Sequence, residues 1–395
     1  MANSLVSIDM ITREALRIAH EKCQFIGTVD RQYDDSFAKN GAKIGTALRV
    51  RKPNQYTRTQ GSRVMDVQDQ AEVNGTITVA TQDHVDMRFN SAELALTIDD
   101  ISKRYIEPAV AVLVSGIESD FLAYATKATY QVAGTAGTAI TSLATPGAAR
   151  AKINQQLAPK DNRYIQMDSV TMGGLVNGVA AYFNPSNDIS KQYREGLIAR
   201  TAMADYYENE RVFTQTIGSD VTGVTLDTFT LADGGSAITV TGGAATVVGQ
   251  VFTMAGVYDV HPETKAAYPH LKQFTLTSTS ATAWTFSPAI QSTGARKNVS
   301  ALPTTTAAIV FVGAASASYV QPLMYHKEAF QFVTADLPLM DDAHKCVRRV
   351  QDGLALRVWQ ASDIRNDELL MRIDILYGMA ALRPEWACRM IGAAN

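Results

Sequence analysis

The densest group of residues able to do chemistry is DDAHKC at 341–346, where Asp342, His344 and Cys346 recur at every second position. On a strand that spacing would set three potential metal ligands on one face. A zinc site needs three or four ligands, and no second His, Cys or Glu cluster stands ready to complete one. Asp341 could equally cap a helix running through Ala343–Val350. His261, His270 and His326 have neither HExxH spacing nor a nucleophile elbow beside them. The run GGLVNG at 173–178 lacks both the GxGxxG spacing and the Lys-Ser/Thr pair of a phosphate loop. Carboxylates are plentiful, but no pair is marked out as an acid and base. The sequence therefore gives no reason to assign a catalytic residue, a metal site or a cofactor.

Composition excludes further classes. The 395 residues are 46% hydrophobic and 19% charged, with a formal net charge of −3. That length allows two or three substructures and a large core. The balance is not that of a general nucleic-acid binder, which carries a basic patch or a high pI. Cys23, Cys346 and Cys388 are too few and too scattered for a disulfide framework. MANSLVSIDMITREA has neither a basic region nor a continuous apolar core, so no signal peptide is expected, and the chain is expected to fold in a reducing cytoplasm. The longest apolar run, AVAVLV at 109–114, is far short of a membrane span.

The element that would position everything else is a long helix from Thr97 to about Lys127. Ile106, Val110, Leu113, Ile117, Phe121 and Tyr124 recur every three or four residues as a continuous stripe. Thr97 and Asp100 resemble a capping box, and Pro108 marks either an interior kink or a first-turn residue. Before it, residues 9–25 read as a short amphipathic helix and 30–45 as an extended arm or loop. Alternation in Ala47–Lys52, Gly75–Thr81 and His84–Phe89 predicts strands. The polar stretch Pro53–Asn74 joins the first two into a long hairpin. An isolated ribbon is marginal in water, so a projecting hairpin would need a neighbouring subunit. Its charges, Arg49, Arg51, Arg58, Arg63, Asp66 and Asp69, are candidates for inter-subunit contacts.

After the helix the reading is mixed to about Phe213, with 188–200 helical. At about Val221 the composition changes. Residues 221–313 hold only eight charged residues and 18 threonines in 93 positions, with short strand-like runs between turns such as Asp233-Gly234-Gly235. That predicts a separate all-β module, a small barrel or sandwich. Mixed α/β character returns at 319–395, so the module reads as an insertion into a host domain.

Three short stretches carry a resemblance. Tyr182-Phe183-Asn184-Pro185 lies ahead of the insertion. Within it, Gly249 to Val257 resembles a Gly-Asp-x-x-x-x-Ala-Gly-Val pattern that includes Gly256, with Gln250 in place of the acid. Tyr377-Gly378 is followed four residues later by Arg383-Pro384-Glu385. In this order, over about residues 5–392, they resemble the major coat proteins of tailed double-stranded DNA bacteriophages, in the P22-like branch. The resemblance implies an α+β, HK97-type capsid fold with an inserted β-barrel: an N-terminal arm (1–44), an extended loop (45–90), a spine helix and peripheral domain (91–130), an axial/peripheral part (131–220), the inserted barrel (221–313) and a closing segment (314–395). It also implies a non-enzymatic shell subunit without cofactors, located in the virion capsid and assembled in the bacterial cytoplasm. Implied partners are further copies in hexamers and pentamers, a scaffolding protein, a portal protein, non-specifically held double-stranded DNA and, as a further candidate, a decoration protein; no membrane is implied. Some HK97-type coats link Lys to Asn covalently, but the P22-like branch does not generally do so, and Lys52 is given no such role. The competing reading is a β-rich adhesion protein that recognises a host surface or carbohydrate through residues 221–313.

Overall fold

The structure is a computed structural model that describes residues 8–34, 47–61, 67, 73–90, 105–179, 204–227, 231–339, 345–351, 354–363, 365–366 and 368–394. The chain begins with helices α1 (Ile8–Lys22) and α2 (Phe25–Thr28) and strands β1 (Asp30–Asp34), β2 (Ala47–Lys52), β3 (Val73–Thr78) and β4 (Thr81–Asn90). The long helix α3 (Glu107–Ala128) is followed by β5 (Val132–Ala133), α4 (Ala144–Gln155), β6 (Arg163–Met167), α5 (Ser169–Val179), β7 (Asp205–Glu208) and β8 (Thr214–Thr216). Then come β9 (Thr225–Leu226), β10 (Ala237–Thr241), β11 (Val251–Val260), β12 (Ala267–Thr279), β13 (Ala283–Ser287) and β14 (Ile309–Phe311). The chain closes with β15 (Ser318–Val320), β16 (Leu323–His326), β17 (Phe330–Ala335), β18 (Lys345–Gln351), β19 (Leu354–Asp363), β20 (Glu368–Ala381) and β21 (Ala387–Met390). Two compact units result: residues 1–50, 74–121 and 330–382 form the first, and 51–73, 122–329 and 383–395 the second.

In the first unit β20 organises a sheet. Its residues 376–381 pair with β17 and 368–374 with β19, while 368–377 pair antiparallel with β4. Helix α3 supplies the apolar cover. Ile106, Val110, Leu113, Ile117 and Phe121 of the expected stripe are buried, but Tyr124 is 39% exposed and Leu122 and Ala125 are buried instead. The buried face follows the i+4 step beyond Phe121, which turns Tyr124 outward. By length and composition α3 could cross a membrane; here Val110, Leu113, Val114 and Ile117 meet Phe332, Leu354, Leu356 and Ile375 around a small apolar cavity. Pro108 is the second residue of α3, which directly follows a π-type turn at 105–106. The proposed cap at Thr97 and Asp100 lies outside the described residues.

Three expectations for this unit are sharpened or corrected. Of the stretch 30–45 read as an extended arm or loop, residues 30–34 are extended as β1 and pair parallel with β17, and 35–45 lie outside the described residues. Lys345–Gln351 is a strand paired with β19, not the alternative helix after Asp341; seven paired positions along β19 outweigh a one-residue capping signal. The closing segment is not mixed α/β either: among its described residues are strands and two 3-10 turns, with no α-helix.

In the second unit, β5, β21, β16, β6 and β7 form a five-stranded sheet in that order. Helices α4 and α5 supply Ala149, Ile153, Met172 and Leu175 to its core. GGLVNG lies inside α5, and a Cβ at Gly178 would fall 1.5 Å from Thr141 O. Its glycine thus serves a close backbone approach rather than a phosphate. Six strands, ordered β14-β11-β12-β13-β10-β9, close on themselves: Leu226 N–H donates to Ala307 O and Ile309 N–H to Val224 O, both at 2.9 Å. The low-charge segment is a barrel because its strands alternate, as in β13, where Trp284 and Phe286 point inward between exposed Ala283 and Thr285. Phe252 is surrounded by Phe274, Trp284, Phe286 and Phe311 with ring centroids 5.8–6.2 Å away.

Candidate functional site: the extended hairpin and its anchor

Strands β2 and β3 form the two-stranded ribbon that alternation predicts. Its base is apolar. Ile77 and Val79 are buried with Val333, Ala335, Leu337, Leu376 and Ala380, and Val50 packs against them. Beyond the base, residues 53–61 have no regular structure, and Tyr56 and Val67 are exposed. Among the described residues, then, Ile77 and Val79 are buried and Tyr56, Arg58 and Val67 are exposed.

The Tyr377-Gly378 pair explains how the root is held. The Tyr377 ring stacks on Phe332 at 5.6 Å, and its hydroxyl donates to Asp83 Oδ2 at 2.8 Å. Burial, followed by the neighbouring Asp83 carboxylate, pushes the phenol pKa well up. A Cβ at Gly378 would lie 2.5 Å from Thr78 O. Only glycine lets the chain leaving β3 pass this close to β20. The two residues thus secure the strip 78–83 from below and from the side.

Strand β4, which follows the ribbon, is tied to β20 by charge as well as by its ladder. Asp374 is fully buried and receives Arg357 through two bonds, Nε to Oδ1 at 3.0 Å and Nη2 to Oδ2 at 2.5 Å. Gln82 Nε2 and Arg372 Nε also donate to Asp374 Oδ2, at 3.1 and 3.2 Å. Arg88 pairs with Glu368 at 3.2 Å. On α3, the buried Glu118 carboxylate accepts the amides of Gln24, Phe25 and Ile26 at 2.6, 2.7 and 3.2 Å. Glu118 has a legible signal, an acid at an apolar-stripe position four residues after Val114; the Arg357–Asp374 pair, 17 residues apart on separate strands, has none.

The other singled-out residues fall as follows. Arg49 and Arg51 lie on β2 with one residue between them, and Arg58 is exposed in 53–61. Arg63, Asp66, Asp69, Phe183, Asn184 and Pro185 lie outside the described residues, as do Asp342 and His344. Gly256 has φ +80° and sits where the β11–β12 register shifts, a bulge that calls for glycine. Gln250, the departure from the acidic pattern, accepts the Val247 amide through Oε1 at 2.5 Å, a role open to a carboxylate as well. Pro384 and Glu385 form a 3-10 turn; Arg383 stacks on the Trp386 ring at 4.1 Å, and Glu385 O accepts from Gln131 Nε2 at 2.8 Å. His326 Nδ1 accepts the Glu328 amide at 3.2 Å, leaving the ring proton on Nε2, and burial lowers its pKa. His261 Nδ1 likewise accepts two turn amides. Among the described residues no group of three His, Cys, Asp or Glu side chains could hold a metal ion.

The sequence profile described as "P22 coat protein - gene protein 5" matches residues 69–392. The chain belongs to the P22 coat protein family. The coat protein is accordingly a structural, non-enzymatic subunit of a phage capsid that associates with its own copies. Its place is the virion capsid. No curated protein sequence matches it. Among solved structures, it is similar to the capsid of Ralstonia phage GP4, at 8% identity and TM-score 0.49 over 93% of this chain and 87% of that one. It is also similar to a Mycobacterium phage Che8 chain, at 9% identity and TM-score 0.47 over 93% and 90%. A virus-like particle from Pyrococcus furiosus matches at 7% identity and TM-score 0.39 over 98% and 100%.

Proposed function

We propose that the coat protein builds an icosahedral shell of hexamers and pentamers around the double-stranded DNA of a tailed bacteriophage, with the HK97-type division of labour. In this reading residues 1–44 are the N-terminal arm, 45–90 the extended loop, and 91–130 the spine helix and peripheral domain. Residues 131–220 and 314–395 build the axial part and complete the periphery, and 221–313 stand on the outer surface and assist folding. The observation that carries the proposal is the ribbon with a buried root at Ile77, Val79 and Gly378 and exposed Tyr56, Arg58 and Val67 beyond it. A subunit that holds a strand segment with a glycine, a stacked tyrosine and charged pairs, and exposes Tyr56, Arg58 and Val67 in the connecting stretch, is suited to lay that stretch on a neighbour. Arg49, Arg51, Arg58, Arg63, Asp66 and Asp69 would supply complementary charges there.

Assembly takes place in the bacterial cytoplasm with a scaffolding protein, a portal protein takes one vertex, and a decoration protein is a further candidate partner. A nearly neutral chain suits a container whose wall must release its DNA. Co-expression with the scaffolding protein, viewed by negative-stain microscopy, should give shells of uniform size. Deleting residues 55–72 should abolish shells while the subunit stays folded; normal shells without the loop tip would refute its role.

A further inference from the structure

Outside the hairpin anchor, a single buried side chain joins four segments of the second unit. Arg389, on β21, is fully buried. Its Nε donates to Thr129 O at 2.6 Å, Nη1 to Gly249 O at 2.7 Å and Gln321 Oε1 at 3.0 Å, and Nη2 to Thr275 Oγ1 at 3.0 Å. All four acceptors are neutral oxygens. Placing a guanidinium in such a site is costly unless its donors are answered, and burial lowers its pKa to about 9. Two acceptors, Gly249 and Thr275, belong to the barrel at the entry to β11 and in β12. The other two lie just beyond α3 and just before β16.

The same junction holds further bonds. Thr275 Oγ1 donates to Lys127 O at 2.9 Å. The Gln273 side chain accepts from Val132 N at 2.9 Å and donates to Val132 O at 3.3 Å. A Cβ at Gly249, φ +93°, would approach Lys127 Cγ to 2.7 Å. Each of these ties one barrel segment to one host segment. Arg389 reaches two of each, which needs the planar, five-donor fork that lysine lacks.

Strand β21 lies between β16 and β5 and is the last strand of the chain. The barrel, by contrast, closes within the contiguous segment 224–311. We propose that Arg389 is the positioning residue that fixes the inserted barrel on the five-stranded sheet. This goes beyond the coat reading and does not depend on shell formation.

Hydrogen exchange on the unassembled full-length subunit tests it. In R389M and R389K, amides at 129–133 and 249–251 should exchange at least tenfold faster, while the barrel core at 252–254 and 284–286 keeps its protection. Unchanged exchange at the junction overturns the proposal. Equal loss in the barrel core overturns it too, because Arg389 would then be a general folding residue. Should both Arg389 variants fail to fold, T275V decides: it keeps the side-chain shape and removes one of the two barrel-side acceptors, leaving Gly249 O. Faster junction exchange with an intact barrel core supports the positioning role, and an unchanged junction overturns it.

Discussion

The sheet around β20 and the inserted barrel solve the same problem, strand registration, by different means. In the sheet, β4 must find β20 across the chain: Tyr377 and Asp83, which touch, are 294 residues apart. A slip by one residue would move every apolar side chain to the wrong face. Polar contacts and shape specify that register, through Arg88–Glu368, Gln82–Asp374, Tyr377–Asp83 and the Gly378 crossing, while Arg357–Asp374 fastens β20 to its hairpin neighbour β19. The barrel draws all its strands from one contiguous segment with eight charges in 93 residues. Alternation and the four aromatic rings around Phe252 dominate there, with one buried ion pair, Lys272–Asp259 at 2.8 Å, between β11 and β12. The sheet must register strands from opposite ends of the chain, and the barrel need not.

The largest expected effect comes from breaking the buried ion pair. D374A leaves Arg357 without its carboxylate in a dry site and should destabilise the first unit by about 3–5 kcal/mol. Urea unfolding of the subunit, followed by Trp359 fluorescence, measures this, and a loss under about 1 kcal/mol would show that charge does not hold that sheet. Next in size, G378A should cost about 1–3 kcal/mol by overpacking against Thr78. G256A, in open space but at φ +80°, should cost about 1–2 kcal/mol through backbone strain alone. Comparing the two separates steric from dihedral demand: exchange at 77–83 should rise only in G378A.

Y377F keeps the stacked ring and removes a hydrogen bond to a carboxylate, which is worth roughly 1.5–3 kcal/mol at most. Part of that is recovered because Asp83 is half-exposed, so a shift near the lower figure is expected in the urea midpoint. The smallest effect is on pH. The folded pKa of His326 lies below its ordinary 6.5, so the unfolded chain takes up a proton first as pH falls. Its contribution is complete above about 6.5 and is lost as pH drops through the folded value. The melting temperature should fall by a few degrees between about pH 7 and 5, and H326Q should flatten that slope; an unchanged slope would place the sensitivity elsewhere.

Much of this was readable from residue order. The α3 stripe, the alternating strands and the change of composition at Val221 depend on local periodicity, and the structure shows a helix, a ribbon and a barrel there. Tyr377-Gly378 was legible as a motif, but its purpose was not, because the Thr78 backbone that needs the glycine lies 300 residues away. Arg357, Asp374 and Arg389 carry no local signal of burial, because their partners are brought in only by strand pairing and sheet topology. Of the two readings left open after Asp341, strand and capped helix, the strand holds at 345–351, because a cap is a one-residue signal whereas β18 is fixed by seven paired positions along β19.

The central claim is that the hairpin is rooted within its own subunit and finished by a neighbour. Hydrogen exchange of the free subunit and of assembled shells tests both halves at once. Amides at 81–90 and 368–378 should be protected in both states, and those at 53–61 should be open in the subunit and protected in the shell. Equal exchange at 53–61 in the two states, or a root that exchanges as fast as the tip, would contradict the account.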